Sequence, residues 1–116
     1  MASARIPPHS LDAEKSVLGA LLIDRDVVVD VIEILRPEMF YSENHGLIFG
    51  CVMSLYENRD PIDVVTISQK LKEGKALERV GGRAYLSELS ESVPSSANAE
   101  KYASIIKESF IKRQLI

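Results

Sequence analysis

The chain has 116 residues, of which 46% are apolar and 27% are charged, and its formal net charge is −3. This length suits a single domain, and the composition is that of an ordinary globular protein rather than of a disordered segment. A net negative charge does not favour a nucleic-acid binder that neutralises phosphates with a broad Lys/Arg surface.

The N-terminal segment, residues 1–9, is predicted to be a flexible arm because Pro7 and Pro8 cannot join a regular hydrogen-bond ladder. It contains no apolar stretch of the kind that marks a signal peptide, and no apolar run in the chain approaches the ~20 residues that span a bilayer. Cys51 is the only cysteine, which excludes an internal disulfide and fits a reducing compartment. We therefore predict a cytoplasmic protein with no membrane segment.

The first two helices are predicted from apolar residues at helical spacing. Ser10 is a suitable N-cap for a first helix whose leucines repeat along one face, and Gly19 within it marks either a close helix contact or a tolerated glycine. A second helix is predicted from Asp26 to Leu35, since its valines and isoleucine share one helical face despite their strand propensity. Pro37 ends that helix.

Four further helices are predicted in the rest of the chain. One begins after Ser42 and ends near Glu57, and the next is capped by Asp63 and ends at Gly74 in a left-handed C-cap. A short helix follows Gly81-Gly82. The last is capped by Asn98, and its inward residues are expected to be Tyr102, Ile105, Ile106 and Phe110. The predicted fold is all-α, a compact bundle of about six helices over residues 10–116.

The sequence ends inside the amphipathic pattern of this last helix, without a Gly, Asn or Pro that would terminate it. This ending predicts that the chain is a fragment of a longer protein.

Motifs for catalysis are lacking in the sequence. There is no Gly-rich phosphate-binding segment with Lys and Ser/Thr, and no Cys/His spacing typical of zinc. Glu43 and His45 could form a weak acid–base pair, but residues two apart on a helix do not face each other. His45 is therefore interpreted as a partly buried structural residue.

A basic segment, residues 70–83, offers one alternative function. It carries five cations and two acids, and it could act as a small DNA-binding element that touches phosphates. Alternatively, the cations form the solvated face of an amphipathic helix and its cap. The candidate nucleic-acid residues are Lys70, Lys72, Lys75, Arg79 and Arg83.

Five stretches, in order along the chain, resemble the N-terminal domain of the DnaB family of bacterial replicative DNA helicases. The first runs from Pro7 to Glu14 and on to Ala20. The others are 37–41 (Pro-Glu-Met-Phe-Tyr), 61–66 (Pro-Ile-Asp-Val-Val-Thr), 81–86 (Gly-Gly followed by Tyr-Leu) and 93–116, which starts Val-Pro and ends Arg-Gln-Leu-Ile.

The resemblance implies a non-catalytic domain that takes part in collar assembly and primase docking during chromosome replication. The full-length helicase would be a hexamer whose separate ATPase motor binds ATP and Mg, so no cofactor is expected in this fragment. The last helix would run into a helical hairpin, truncated here, that pairs protomers into dimers. Expected partners are other helicase protomers and the C-terminal domain of primase, with a helicase loader as a further candidate. DNA would be contacted only by the full-length hexamer.

The resemblance also implies candidate interface residues. By position, Tyr85 after the Gly-Gly turn and Ile116 at the foot of the hairpin would belong to the primase-facing region, and Arg113 and Leu115 are grouped with them as primase or protomer contacts. A core position, with its hydroxyl hydrogen-bonded, is an equal alternative for Tyr85.

Overall fold

The computed structural model describes residues 6–116, and in this range it consists of helices and loops without a strand. The six α-helices are α1 (Leu11–Ile23), α2 (Val28–Ile34), α3 (Glu43–Glu57), α4 (Val64–Glu73), α5 (Gly82–Glu91) and α6 (Ala99–Gln114). Short 3₁₀ turns, Arg25–Val27 and Pro37–Met39, precede α2 and α3. The predicted all-α bundle is confirmed.

Helix α1 lies at the centre of the domain and packs against α3, α5 and α6. Its buried residues are not confined to one stripe, which is typical of a helix surrounded by others. They are Ala13, Glu14, Val17, Leu18, Gly19, Ala20, Leu21 and Leu22. One of these, Glu14, is a carboxylic acid.

Side-chain caps fix the starts of three helices as predicted. Ser10 accepts a hydrogen bond from the Ala13 amide at the start of α1, and Ser42 accepts one from the His45 amide at the start of α3. Asp63 forms a reciprocal capping box with Thr66 at the start of α4. These bonds satisfy amide groups that have no partner within the helix.

Four local predictions are wrong. Gly74 does end α4, but its φ is −85°, so it is not in the left-handed region. The left-handed residue is Lys75 (φ 58°), because the chain turns there so that the Ala76 amide donates a hydrogen bond to the Leu71 carbonyl (2.8 Å). Asn98 makes no side-chain cap.

Helix α6 packs through its alanines, so its buried stripe is Ala99, Ala103 and Ile106. This orientation leaves Ile105 37% exposed rather than inward. The predicted second helix also begins later than Asp26, because Asp24 accepts a hydrogen bond from the Asp26 amide and caps a 3₁₀ turn first.

The residues predicted as an N-terminal arm lie partly within the described range. Met1–Arg5 are outside it. Pro8 accepts a hydrogen bond from the Arg113 guanidinium (2.7 Å), and the His9 ring stacks on Tyr41 with centroids 4.0 Å apart. The segment Pro7–His9, called here the N-terminal strap, therefore lies against the helical body.

Within residues 6–116, no helix combines the length and the apolar character needed to cross a bilayer.

Gly19 allows α1 and α5 to approach closely. Of the two alternatives predicted for this glycine, the structure therefore supports a close helix contact rather than a merely tolerated residue. A Cβ atom at this position would lie 2.4 Å from the Leu89 carbonyl oxygen and 3.1 Å from a methyl group of Val93. We expect Gly19→Ala to destabilise the domain by about 1–3 kcal/mol in urea unfolding, because the overlap outweighs the better helix propensity of Ala.

Gly50 in α3 provides a matched control for Gly19. A Cβ atom there would meet nothing closer than a Pro37 ring carbon at 3.9 Å. Gly50→Ala should therefore raise stability by roughly 0.5–1 kcal/mol. Equal effects of the two substitutions would contradict the close α1–α5 contact.

Candidate functional site

A hydrogen-bonded network links Glu14 of α1, His45 of α3 and Tyr85 of α5. The His45 Nδ1 atom lies 2.8 Å from Oε1 of Glu14, and its Nε2 atom lies 2.6 Å from the Tyr85 hydroxyl. Glu14 and His45 are almost completely buried, with 1% and 3% of their surface exposed, and Tyr85 is half-buried. The network therefore joins three helices across the interior of the domain.

The Glu14 carboxylate also holds the chain between the Pro37–Met39 turn and α3. Its Oε2 atom accepts a hydrogen bond from the Tyr41 amide (2.7 Å), and Oε1 accepts one from the Ser42 amide (3.3 Å). With the His45 ring, three donors from one stretch of chain converge on this carboxylate. Such convergence offsets the cost of burying a charge.

Local sequence places each member of the network. Glu14 lies in the first turn of α1, where an acid is favoured by the helix dipole, and His45 lies in the first turn of α3 behind the Ser42 cap. Tyr85 follows the turn at Gly81 (φ +113°), where an added Cβ atom would come within 2.8 Å of the Tyr85 Cβ. Glycine at this position lets α5 start close enough for Tyr85 to reach inward.

Protonation of the network follows from its chemistry. Burial raises the pKa of the Tyr85 hydroxyl, and the carboxylates of Glu88 and Glu14 raise it further. Tyr85 therefore stays protonated at neutral pH, and its hydroxyl can donate a hydrogen bond to Nε2 of His45. A carboxylate at Glu14 can only accept a hydrogen bond, so the neutral tautomer of His45 that satisfies both contacts has its proton on Nδ1, which donates a hydrogen bond to Glu14.

Glu43 and His45, the weak acid–base pair of the sequence, are not brought together. Glu43 is exposed, with its carboxylate 3.7 Å from the Arg79 guanidinium, whereas the His45 ring is engaged by Glu14 and Tyr85. Among residues 6–116 no group of three or more His, Cys, Asp and Glu side chains is placed to hold a metal ion. The interpretation of His45 as structural fits this geometry.

The candidate interface residues occupy two places. The Tyr85 hydroxyl points to the network, as in the core alternative, while Leu115 and Ile116 at the end of α6 are 81% and 87% exposed. Arg113 is half-buried and donates hydrogen bonds to the carbonyls of Pro8 (2.7 Å) and Met39 (2.8 Å). Neither a hydrogen bond nor a cation–π contact joins Tyr85 to Arg113.

Tyr41 connects these two places. Its amide is held by Glu14, and its ring lies under the Arg113 guanidinium, 5.5 Å from the ring centroid. Sequence reasoning missed both Glu14 and Tyr41 as connecting residues. The position of Glu14 in the sequence is a weak indication of its role, because its spacing from the leucines of α1 places an acid on the buried side of the helix.

The candidate DNA-binding cations do not form one uninterrupted basic surface. Lys70 borders a groove that also contains Asp60 and Glu73, and Arg79 is near Glu43. The remaining three, Lys72, Lys75 and Arg83, are exposed, and the first two border a depression that contains Glu78. DNA binding by this segment stays a prediction, and no observation favours it.

Removing the imidazole should destabilise the domain strongly. In His45→Ala the Glu14 carboxylate loses a buried donor and the Tyr85 hydroxyl loses its acceptor, so we expect a loss of about 2–4 kcal/mol in urea unfolding. Tyr85→Phe removes only the hydroxyl and should cost about 1 kcal/mol. A His45→Ala variant as stable as one altered at an exposed site, such as Lys101→Ala, would refute the network.

Comparisons with known proteins agree with this fold. The family profile described as "DnaB-like helicase N terminal domain" matches residues 6–108. The chain is 44% identical over 114 residues to the replicative DNA helicase DnaB of Geobacillus stearothermophilus, covering 98% of this chain and 25% of that protein. It is 41% identical over 112 residues to the replicative DNA helicase DnaB of Leifsonia xyli subsp. xyli, covering 97% and 24%.

A solved structure shows the same fold. The crystal structure of the N-terminal domain of DnaB helicase from Mycobacterium tuberculosis matches with a TM-score of 0.91 and 42% identity, covering 95% of this chain and 80% of that one. The chain spans about a quarter of the length of the curated relatives above. The family predicted from the sequence is confirmed: this chain belongs to the DnaB-like helicase N-terminal domain family.

Proposed function

We propose that this domain is a non-catalytic interaction domain of a replicative DNA helicase, which helps to assemble the collar of the hexamer and docks the C-terminal domain of primase during chromosome replication. Its partners would be other helicase protomers and primase, with a helicase loader as a further candidate. ATP, Mg²⁺ and DNA would be bound by other parts of the full-length hexamer. Family membership supports the proposal, and so do two features of the domain.

The observation that carries the proposal is the apolar end of α6. Ile111, Leu115 and Ile116, called here the C-terminal apolar surface, are 48%, 81% and 87% exposed. Ile111 and Leu115 are four residues apart and so lie on one side of α6, and exposed aliphatic side chains arranged in this way favour burial against a partner. This surface also contains two of the residues that the resemblance assigns to an interface.

The buried network gives the second support. Glu14 and His45, the residues best suited to acid–base chemistry, are hydrogen-bonded to one another and lie away from solvent. Neither can reach a substrate without unfolding of its surroundings. The network is therefore better suited to holding a surface in shape than to catalysis.

A calorimetric titration with the C-terminal domain of the cognate primase tests primase docking. We expect binding to the wild-type domain and an affinity lowered about tenfold or more by the double substitution Leu115→Asp/Ile116→Asp, since charges would replace buried aliphatic contacts. In the full-length helicase, the same substitutions should shift light scattering from hexamers to smaller species.

Val65→Asp is the matched control for this surface. Val65 is an aliphatic residue that is 56% exposed on α4, so its replacement adds a surface charge at another place. It should leave primase affinity and hexamer assembly unchanged. Absence of binding to both the wild-type domain and the full-length helicase would contradict primase docking, and equal losses in all variants would contradict the assignment of the surface.

A further inference from the structure

The last turns of α6 are attached to the body of the domain by few side chains. The buried residues of α6 are Ala99, Ala103 and Ile106, and none of residues 107–116 is buried. Within that stretch only Ser109, Phe110 and Arg113 are half-buried. The orientation of the C-terminal apolar surface therefore depends on a small set of contacts.

Arg113 makes most of the polar part of that attachment. Its Nη1 atom donates to the Pro8 carbonyl (2.7 Å) and its Nη2 atom donates to the Met39 carbonyl (2.8 Å). The same guanidinium lies 5.5 Å from the Tyr41 ring centroid and 5.8 Å from that of Phe110. A planar guanidinium suits this site, because its two terminal nitrogens can donate to two carbonyls while its flat faces lie against aromatic rings.

The N-terminal strap, Pro7–His9, takes part in the same contacts. Its His9 ring stacks on Tyr41 at an interplanar angle of 14°, and Nδ1 of His9 donates to the Pro7 carbonyl (2.7 Å). The Tyr41 ring therefore contacts both His9 and Arg113. Three segments far apart in sequence meet at one guanidinium and one ring.

We propose that Arg113 is a latch that holds the N-terminal strap and the last turns of α6 against Met39 and Tyr41. The latch sets the direction of the C-terminal apolar surface, and its release frees the strap and the helix end together. Arg113 is thus a positioning residue and not a direct partner contact, because both of its terminal nitrogens donate within the domain. Its consequence for primase docking rests on the proposed function, whereas the latch itself does not.

The Glu14 network provides a fixed support for this latch. The Tyr41 amide bonds to the Glu14 carboxylate, so the backbone under the Tyr41 ring is held from the interior while the ring is held from the surface. Opening the latch therefore does not require loss of the core. We expect the latch to open while α1, α3 and α5 remain folded.

Amide hydrogen exchange measured by mass spectrometry on the domain tests the latch. Arg113→Ala should speed exchange roughly tenfold or more in peptides covering residues 107–116, with the peptides of α1 and α3 unchanged. Arg113→Lys should behave like Arg113→Ala, because an ammonium group cannot reproduce the planar fork.

Lys112→Ala is the matched control. Its ammonium group is exposed and, among residues 6–116, forms an ion pair only with Glu108 on the same helix, so removal should leave exchange as in the wild type. A second readout is the proximity of the His9 and Tyr41 rings by NMR, which should be lost in Arg113→Ala and kept in Lys112→Ala. Unchanged exchange in Arg113→Ala, or a rise spread evenly over all helices, would overturn the latch.

Primase titration of the same variants separates the latch from the proposed function. If the wild-type domain binds primase, Arg113→Ala should weaken binding, since the helix end must be ordered on docking. If neither the wild-type domain nor the full-length helicase binds primase while the exchange pattern is as expected, the latch is supported and the proposed function fails.

Discussion

The buried carboxylate of Glu14 is the constraint on which the arrangement of the domain depends. A charge at 1% exposure is tolerated only where donors surround it, and here they are the amides of Tyr41 and Ser42 and the ring of His45. These three donors fix the chain that leads into α3. Through His45 the same carboxylate also fixes Tyr85 and therefore α5. One side chain of the central helix thus sets the positions of its neighbours.

Tyr41 links the buried Glu14 network to the surface contacts of His9 and Arg113. Its amide is bonded inward, and its ring supports His9 and Arg113 outward. A continuous series of contacts thus leads from Tyr85 through His45, Glu14 and Tyr41 to Arg113 near the end of α6. Under the proposed function, these contacts would connect Tyr85, whose hydroxyl is turned inward, to an interface that it does not itself touch.

The helices and their caps could be predicted from sequence because their causes are local. Ser10, Ser42 and Asp63 act within four residues, and apolar spacing reveals which face is buried. The network could not be predicted, since its hydrogen bonds join residues 27–40 positions apart. The left-handed Lys75 and the inward alanines of α6 depend on the way helices pack, which spacing alone does not determine. The family resemblance implies that Tyr85, Arg113, Leu115 and Ile116 belong to an interface, which stays a prediction, and it implies nothing about their contacts within the domain.

The most direct test of this account is the state of the His45 ring, observed by ¹⁵N NMR of the labelled domain at neutral pH. The structure predicts a proton on Nδ1, bonded to Glu14, and an unprotonated Nε2 that accepts from Tyr85. In Tyr85→Phe the Nε2 signal should move while Nδ1 keeps its proton. A ring with its proton on Nε2 alone, or one that exchanges freely between both forms as in solution, would contradict the central role of Glu14.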